Sequence, residues 1–159
     1  DKDAVEGSMM ILEMTAYYKK KGMTLSDALA ELYKTYGLYA EKTIDIYMEG
    51  LDGIANRKKV MQNLRDCPPK TLGGVAVKSA GDYKSSEVRD LESGEITTTG
   101  QPSSDVLYYT LKNEDKIIVR PSGTEPKIKI YLLAHGDDQA SLDAKLKAYE
   151  KDSRKMTEV

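Results

Sequence analysis

The residues best placed to do chemistry lie between Val119 and Tyr131, in the run V-R-P-S-G-T-E-P-K-I-K-I-Y. Pro121 and Pro126 bracket a Ser-Gly-Thr turn, with Arg120 before it and Lys127 and Lys129 after it. Proline lacks a backbone N–H and disfavours helix in the residue before it, so Arg120 and Glu125 are expected to be extended. Ser122, Gly123, Thr124 and Glu125 keep their amide protons, which neither a helix nor a regular ladder easily claims. Gly123 can take a positive φ at little cost, and successive N–H groups would then converge into an anion-binding nest. The Ser122 and Thr124 hydroxyls add donors, and Arg120 adds a planar fork suited to phosphate oxygens. That combination is the chemistry of holding a phosphate group. Glu125, an acid inside an anion site, is expected to orient Arg120 or a lysine, or to point to water.

The elements around the turn must hold these groups in place. Ile117, Ile118 and Val119 form a β-branched run suited to an inner strand, which delivers Arg120 to the sheet edge. On the return strand Lys127 and Lys129 alternate with Ile128 and Ile130, so inward isoleucines would turn both lysines the other way. Lys127 lies nearest the turn; it reads as a supplementary phosphate contact or, alternatively, as a solvated strand lysine. Further strand patterns fall at Val75–Lys78, Glu95–Thr99 and Val106–Leu111, with Asn113-Glu114-Asp115 as a hairpin turn. Asp52 leads a helix with Ile54, Val60, Met61 and Leu64 inward, ended by Cys67-Pro68-Pro69. A last helix begins near Asp138 and lines up Leu142, Leu146, Tyr149 and Met156. The polar stretch from Gly81 to Gly100 is the candidate mobile segment.

Ahead of this part, Val5, Met9, Leu12 and Ala16 follow helical spacing up to Lys19-Lys20-Lys21-Gly22, a lysine-rich last turn closed by glycine. Thr24 opens a second helix with Asp27 three residues on, as in a capping box, and Gly37 closes it. The pair predicts a helical hairpin with an apolar face that has no partner within the pair. Alternation from Tyr39 to Met48 marks a connector or edge strand, with the domain boundary at about 40/41. The second part, 41–159, reads helix, antiparallel strands, helix. The expected fold class is therefore α+β, an antiparallel sheet with helices on one face.

Composition narrows the functions available. The 159 residues are 40% hydrophobic and 31% charged, as in an ordinary globular protein. A formal net charge of −2 argues against nucleic acid as the main partner. No apolar run reaches membrane-spanning length, and a lone Cys67 permits no internal disulfide, which suits the cytoplasm. No Cys/His cluster has metal-ligand spacing, and the one histidine, His135, follows an apolar strand and reads as a surface or packing residue.

At R-P-S-G-T-E-P-K the chain resembles the α-D-phosphohexomutase family of phosphoglucomutases and phosphomannomutases, in which this segment is the phosphate-binding loop of the fourth, C-terminal domain. The opening D-K-D-A-V-E-G-S-M-M-I-L-E-M-T-A-Y-Y-K and the segment T-L-S-D-A-L-A-E-L-Y-K-T-Y-G resemble the end of that family's third domain. The resemblance implies a TATA-binding-protein-like fold for residues 41–159 and the last helices of a third domain for 1–40. It implies phosphate contacts from Arg120, Ser122, Gly123, Thr124 and Lys127, with a phosphorylated hexose as the partner. The family's phosphoserine loop, aspartate cluster (D-x-D-x-D) and G-E-x-S sugar loop do not occur here. The expectation is a C-terminal piece of an enzyme interconverting hexose 1- and 6-phosphates, with Mg²⁺ bound elsewhere, a glucose 1,6-bisphosphate-type intermediate, and no activity of this piece alone. The alternative is a stand-alone, non-catalytic module that binds a phosphorylated ligand or nucleic acid.

Overall fold

A computed structural model of the chain describes residues 3–48 and 50–158. These divide into two compact units, residues 1–38 and 39–159. The first is a helical hairpin, α1 (Ala4–Lys20) and α2 (Leu25–Tyr36). Asp3 caps α1 by accepting from the Val5 and Glu6 N–H groups. Thr24 and Asp27 form the full capping box expected from their spacing, with the Thr24 hydroxyl accepting from the Asp27 N–H and the Asp27 carboxylate accepting from the Thr24 N–H. Within this unit Val5, Met9, Leu12, Leu29, Leu32 and Tyr36 are exposed.

The second unit is built on an antiparallel sheet. Its strands are β1 (Leu38–Tyr47), β2 (Thr71–Leu72), β3 (Val75–Asp82), β4 (Glu87–Asp90), β5 (Ile96–Thr98), β6 (Leu107–Leu111), β7 (Lys116–Pro121) and β8 (Lys127–Gly136). They run in the order β1-β8-β7-β6-β3-β4-β5, with β2 paired to β3. Two helices complete the unit, α3 (Gly53–Asp66) and α4 (Gln139–Lys155). The α+β class expected from the alternating patterns is the one observed.

Strict alternation explains the core. In β6 Leu107, Tyr109 and Leu111 are buried; Leu107 and Tyr109 register against Val119 and Ile117 of β7, which register in turn against Ile130 and Leu132 of β8, and Leu111 registers against Val77 of β3. Because side chains alternate between faces, these residues share one side of the sheet. That side takes the helices: Val60, Met61 and Leu64 of α3 and Leu142 and Tyr149 of α4 are buried, and the Tyr109 hydroxyl donates to the Leu64 carbonyl at 3.3 Å. Burial pushes the Tyr109 phenol well above its usual range, so it remains a donor.

One expectation needs correction. Ile54 does not point inward with the rest of α3; it is more than half exposed, one residue beyond the tightly packed Gly53. The polar stretch 81–100 holds β4 and β5, an antiparallel pair in which Glu87, Val88 and Arg89 register with Thr98, Thr97 and Ile96; β5 falls within the strand pattern at Glu95–Thr99, whereas β4 had no such signal. β4 and β5 lie at the outer end of the sheet, where none of their residues is fully buried, so their sequence lacks an apolar alternation.

Candidate functional site

The turn between β7 and β8 carries the residues singled out above. Alternation decides where Arg120 goes. Val119 is buried under the helices, so Arg120 leaves the opposite face, and it is exposed. Its register partner across the ladder is Lys129, on the same face. Two cations thus stand side by side on the uncovered surface of β7 and β8. Lys129 joins the site through strand register, a relation its place in the sequence does not reveal.

Ser122, Gly123 and Thr124 form the crest of the turn. The Ser122 N–H donates to the Lys127 carbonyl at 2.9 Å, and the Lys127 N–H donates to the Glu125 carbonyl at 2.8 Å, closing the hairpin. The Glu125 N–H turns inward to the Ser122 hydroxyl oxygen at 3.3 Å. Among the described residues, no hydrogen-bond partner is found for the Gly123 and Thr124 N–H groups, the Thr124 hydroxyl or the Arg120 guanidinium. Arg120, Gly123 and Thr124 are all exposed. Gly123 itself departs from expectation: it does not adopt a positive φ, and a Cβ there would meet nothing within 4 Å. The turn therefore uses no left-handed glycine, and besides its own hydrogen bonds it is held by contacts from outside it.

The outside contacts come from α3 and from Met48, one residue past β1. Arg57 Nη1 donates to the Ser122 carbonyl and, at 2.8 Å, to the Glu125 carbonyl, across 65 and 68 residues of chain. The Met48 N–H donates to the Pro126 carbonyl at 2.8 Å. Gly53, at the start of α3, packs so closely that a Cβ would fall 2.2 Å from the Met48 carbonyl oxygen and 3.1 Å from Pro126 Cβ. No sequence signal pointed to Arg57, which sits in an ordinary basic helix run with Lys58 and Lys59.

Lys127 is placed differently from the other candidates. Its side chain is nearly buried, and its ammonium pairs with Glu125 at 2.9 Å and Asp45 of β1 at 3.4 Å, 5.2 Å from the Tyr47 ring centroid. Glu125, then Asp45, hold its pKa well above the ordinary lysine value, so it stays charged throughout the physiological range. Of the roles open to Glu125, the one seen is orienting a lysine. The structure thus sets Gly123 and Thr124 on an exposed turn with Ser122 half-buried beside them, Arg120 exposed near the end of β7, and Lys127 in an ion-paired position.

His135 lies at the far end of β8, away from this turn. Its backbone N–H and its Nδ1 lie 2.9 and 2.7 Å from Asp115 Oδ1. Among the described residues no group of three His, Cys, Asp or Glu side chains could hold a metal ion, and no helix is long and apolar enough to cross a membrane.

Comparison with known proteins places this geometry in context. Residues 104–150, which include the whole turn, match the family model for the phosphoglucomutase/phosphomannomutase C-terminal domain. A phosphoglucomutase from Staphylococcus aureus (strain bovine RF122 / ET3-1) is 38% identical over 132 residues, covering 83% of this chain and 24% of the relative. That from strain MRSA252 is 37% identical over the same length and coverage. The chain thus spans about a quarter of the length of these relatives. Among solved structures, the open form of the Paramecium exocytosis-sensitive phosphoprotein pp63/parafusin, a phosphoglucomutase, superimposes with a TM-score of 0.56. That match covers 99% of this chain and 27% of the other at 14% identity, a likeness of fold alone.

Proposed function

Because the chain carries the C-terminal domain of the phosphoglucomutase/phosphomannomutase family, we propose that its β7–β8 turn binds the phosphate of a hexose phosphate in a longer enzyme. The observation that carries this reading is the set of exposed donors at the turn that have no partner among the described residues: the Gly123 and Thr124 N–H groups, the Thr124 hydroxyl and the Arg120 fork. Exposed donors of both neutral and cationic kinds at one point match the needs of a phosphate dianion. Lys129 adds positive charge beside Arg120, and Lys127 steadies the turn through Glu125.

The reaction would be transfer of a phosphoryl group between O1 and O6 of the sugar through a bisphosphorylated intermediate. The nucleophilic phosphoserine and the Mg²⁺ that neutralises it would be held by residues outside this chain. Here the crest grips the phosphate that does not react, so that the other end of the sugar meets the phosphoserine. Binding energy taken from a remote group supports orientation of the reacting one. The helical hairpin of residues 1–38 would belong to the preceding domain, its exposed apolar residues covered by upstream chain. A stand-alone phosphate-binding module is the weaker reading, since a free module has no use for an uncovered apolar helix pair.

Arg120 decides the matter. In the full-length polypeptide, Arg120→Ala removes a charge-assisted fork of about 1.5–3 kcal/mol, so kcat/KM for glucose 1-phosphate should fall roughly ten- to a few-hundredfold. Arg120→Lys should recover only part, because a point charge cannot reproduce the fork. Wild-type kcat/KM in Arg120→Ala would end the phosphate-clamp reading, and a collapsed melt would make Arg120 structural instead.

A further inference from the structure

The β7–β8 turn is held by a guanidinium from α3 that donates to two of its carbonyls. We propose that Arg57 is a positioning residue: by holding the Ser122 carbonyl it aims the Gly123 N–H at the phosphate. This rests on the phosphate-binding reading of the turn. The argument begins with the peptide plane. The Ser122–Gly123 bond is trans, so its C=O and N–H point in opposite directions from one rigid unit. Arg57 draws the Ser122 carbonyl toward α3. The Gly123 N–H is thereby turned away from α3, toward the side on which Arg120 leaves the sheet.

Three features make the anchor specific. The same Nη1 atom also holds the Glu125 carbonyl, so both ends of the crest are fixed from one guanidinium. Arg57 stands one helical turn beyond Gly53, which is wedged against Met48 and Pro126, so the helix is seated on the turn before Arg57 reaches it. Finally, Gly123 lacks the positive φ that would converge its N–H with its neighbours' by backbone conformation alone. An external carbonyl anchor supplies the orientation that local conformation does not. Its positive charge, directly behind the crest, also favours an anion in front.

The test compares Arg57→Ala, Arg57→Gln and Arg57→Lys with Arg120→Ala in the full-length polypeptide. In Arg57→Ala, KM for glucose 1-phosphate and the inhibition constant of inorganic phosphate should rise together, about tenfold, with a much smaller change in kcat. Arg57→Lys should recover part of the affinity, since an ammonium can still donate to one carbonyl. In wild-type protein the Gly123 amide resonance should move when inorganic phosphate is added, and that response should be lost in Arg57→Ala and weakened in Arg57→Gln.

A KM and a Gly123 response at wild-type values in folded Arg57→Ala or Arg57→Gln, with Arg120→Ala impaired, overturns the positioning role and leaves phosphate binding standing. If Arg57→Ala fails to fold, Arg57→Gln decides by the same criteria. Should the wild-type Gly123 amide ignore phosphate and Arg120→Ala behave as wild type, the phosphate reading falls and Arg57 loses its role with it.

Discussion

Strand β7 ends in two polar turns that solve opposite problems. At its start, the turn between β6 and β7 buries Asp115 completely and surrounds it with donors. Asp115 accepts from the Tyr149 hydroxyl at 2.6 Å, from Asn113 Nδ2 at 2.7 Å and from the His135 N–H at 2.9 Å, with Lys145 Nζ 3.3 Å away. At its end, the turn between β7 and β8 leaves donors unmatched on an exposed crest. Charge that is satisfied inside the protein ties elements together; charge left open is available to a ligand. The first turn clips α4 to the sheet, and the second is where binding is proposed. His135, the lone histidine, belongs to the clip.

The electrostatics of the clip follow from its partners. Burial alone would raise the Asp115 pKa, but the Tyr149 hydroxyl, the His135 N–H and Lys145 outweigh it and leave the carboxyl below its ordinary range. Tyr149, buried and donating to Asp115, is pushed above the ordinary phenol range. A carboxylate with a lowered folded-state pKa contributes stability above its unfolded pKa of about 4, and that contribution is lost as pH falls through the folded value.

The largest expected effect therefore comes from breaking the clip. Asp115→Ala removes the acceptor shared by the Tyr149 hydroxyl, Asn113 Nδ2 and the His135 N–H and breaks the pair with Lys145, and should cost about 3–5 kcal/mol of stability. Its acid unfolding below about pH 4 should be shallower than that of wild type, because one titrating carboxylate is gone. Denaturant melts at pH 7 and pH 3 check both. A wild-type melt at pH 7 would erase the contrast between the two turns.

Gly53→Ala probes the join between α3 and the crest. The added Cβ would meet the Met48 carbonyl oxygen, a backbone atom that cannot swing aside. Overpacking of this kind costs about 1–3 kcal/mol, and a shifted α3 should carry Arg57 with it. Melting and phosphate affinity should fall together, whereas Asp115→Ala should change stability far more than affinity in the protein that remains folded. Calorimetry beside inorganic-phosphate inhibition separates the two.

The smallest effect sharpens the comparison from the other side. Thr124→Val removes a hydroxyl that has no partner among the described residues, so the melt should stay within about 0.5 kcal/mol of wild type. In the full-length polypeptide kcat/KM should nonetheless drop several-fold, as for one hydrogen bond of about 1 kcal/mol. Unchanged kinetics would remove the Thr124 hydroxyl from the binding set. The 159-residue chain by itself is expected to show no interconversion of glucose 1- and 6-phosphate, and assay of rigorously purified chain checks this.

What the sequence alone determined was local. Proline spacing marked the turn at 121–126, period-two alternation marked β6, β7 and β8, and Thr24 with Asp27 announced a capped helix start. Each follows from backbone sterics or side-chain periodicity within a few residues. Tertiary structure decided the partners: Arg57 on carbonyls more than 60 residues away, Asp45 beside Lys127, and Lys129 set next to Arg120 by register. It also decided the conformation of Gly123, for which glycine only widens the choice, and revealed β4, a strand between β3 and β5 without apolar alternation. Residue types state what a segment can donate or bury. Which way a carbonyl or a cation finally points depends on elements packed against it from distant parts of the chain, and no local pattern encodes that.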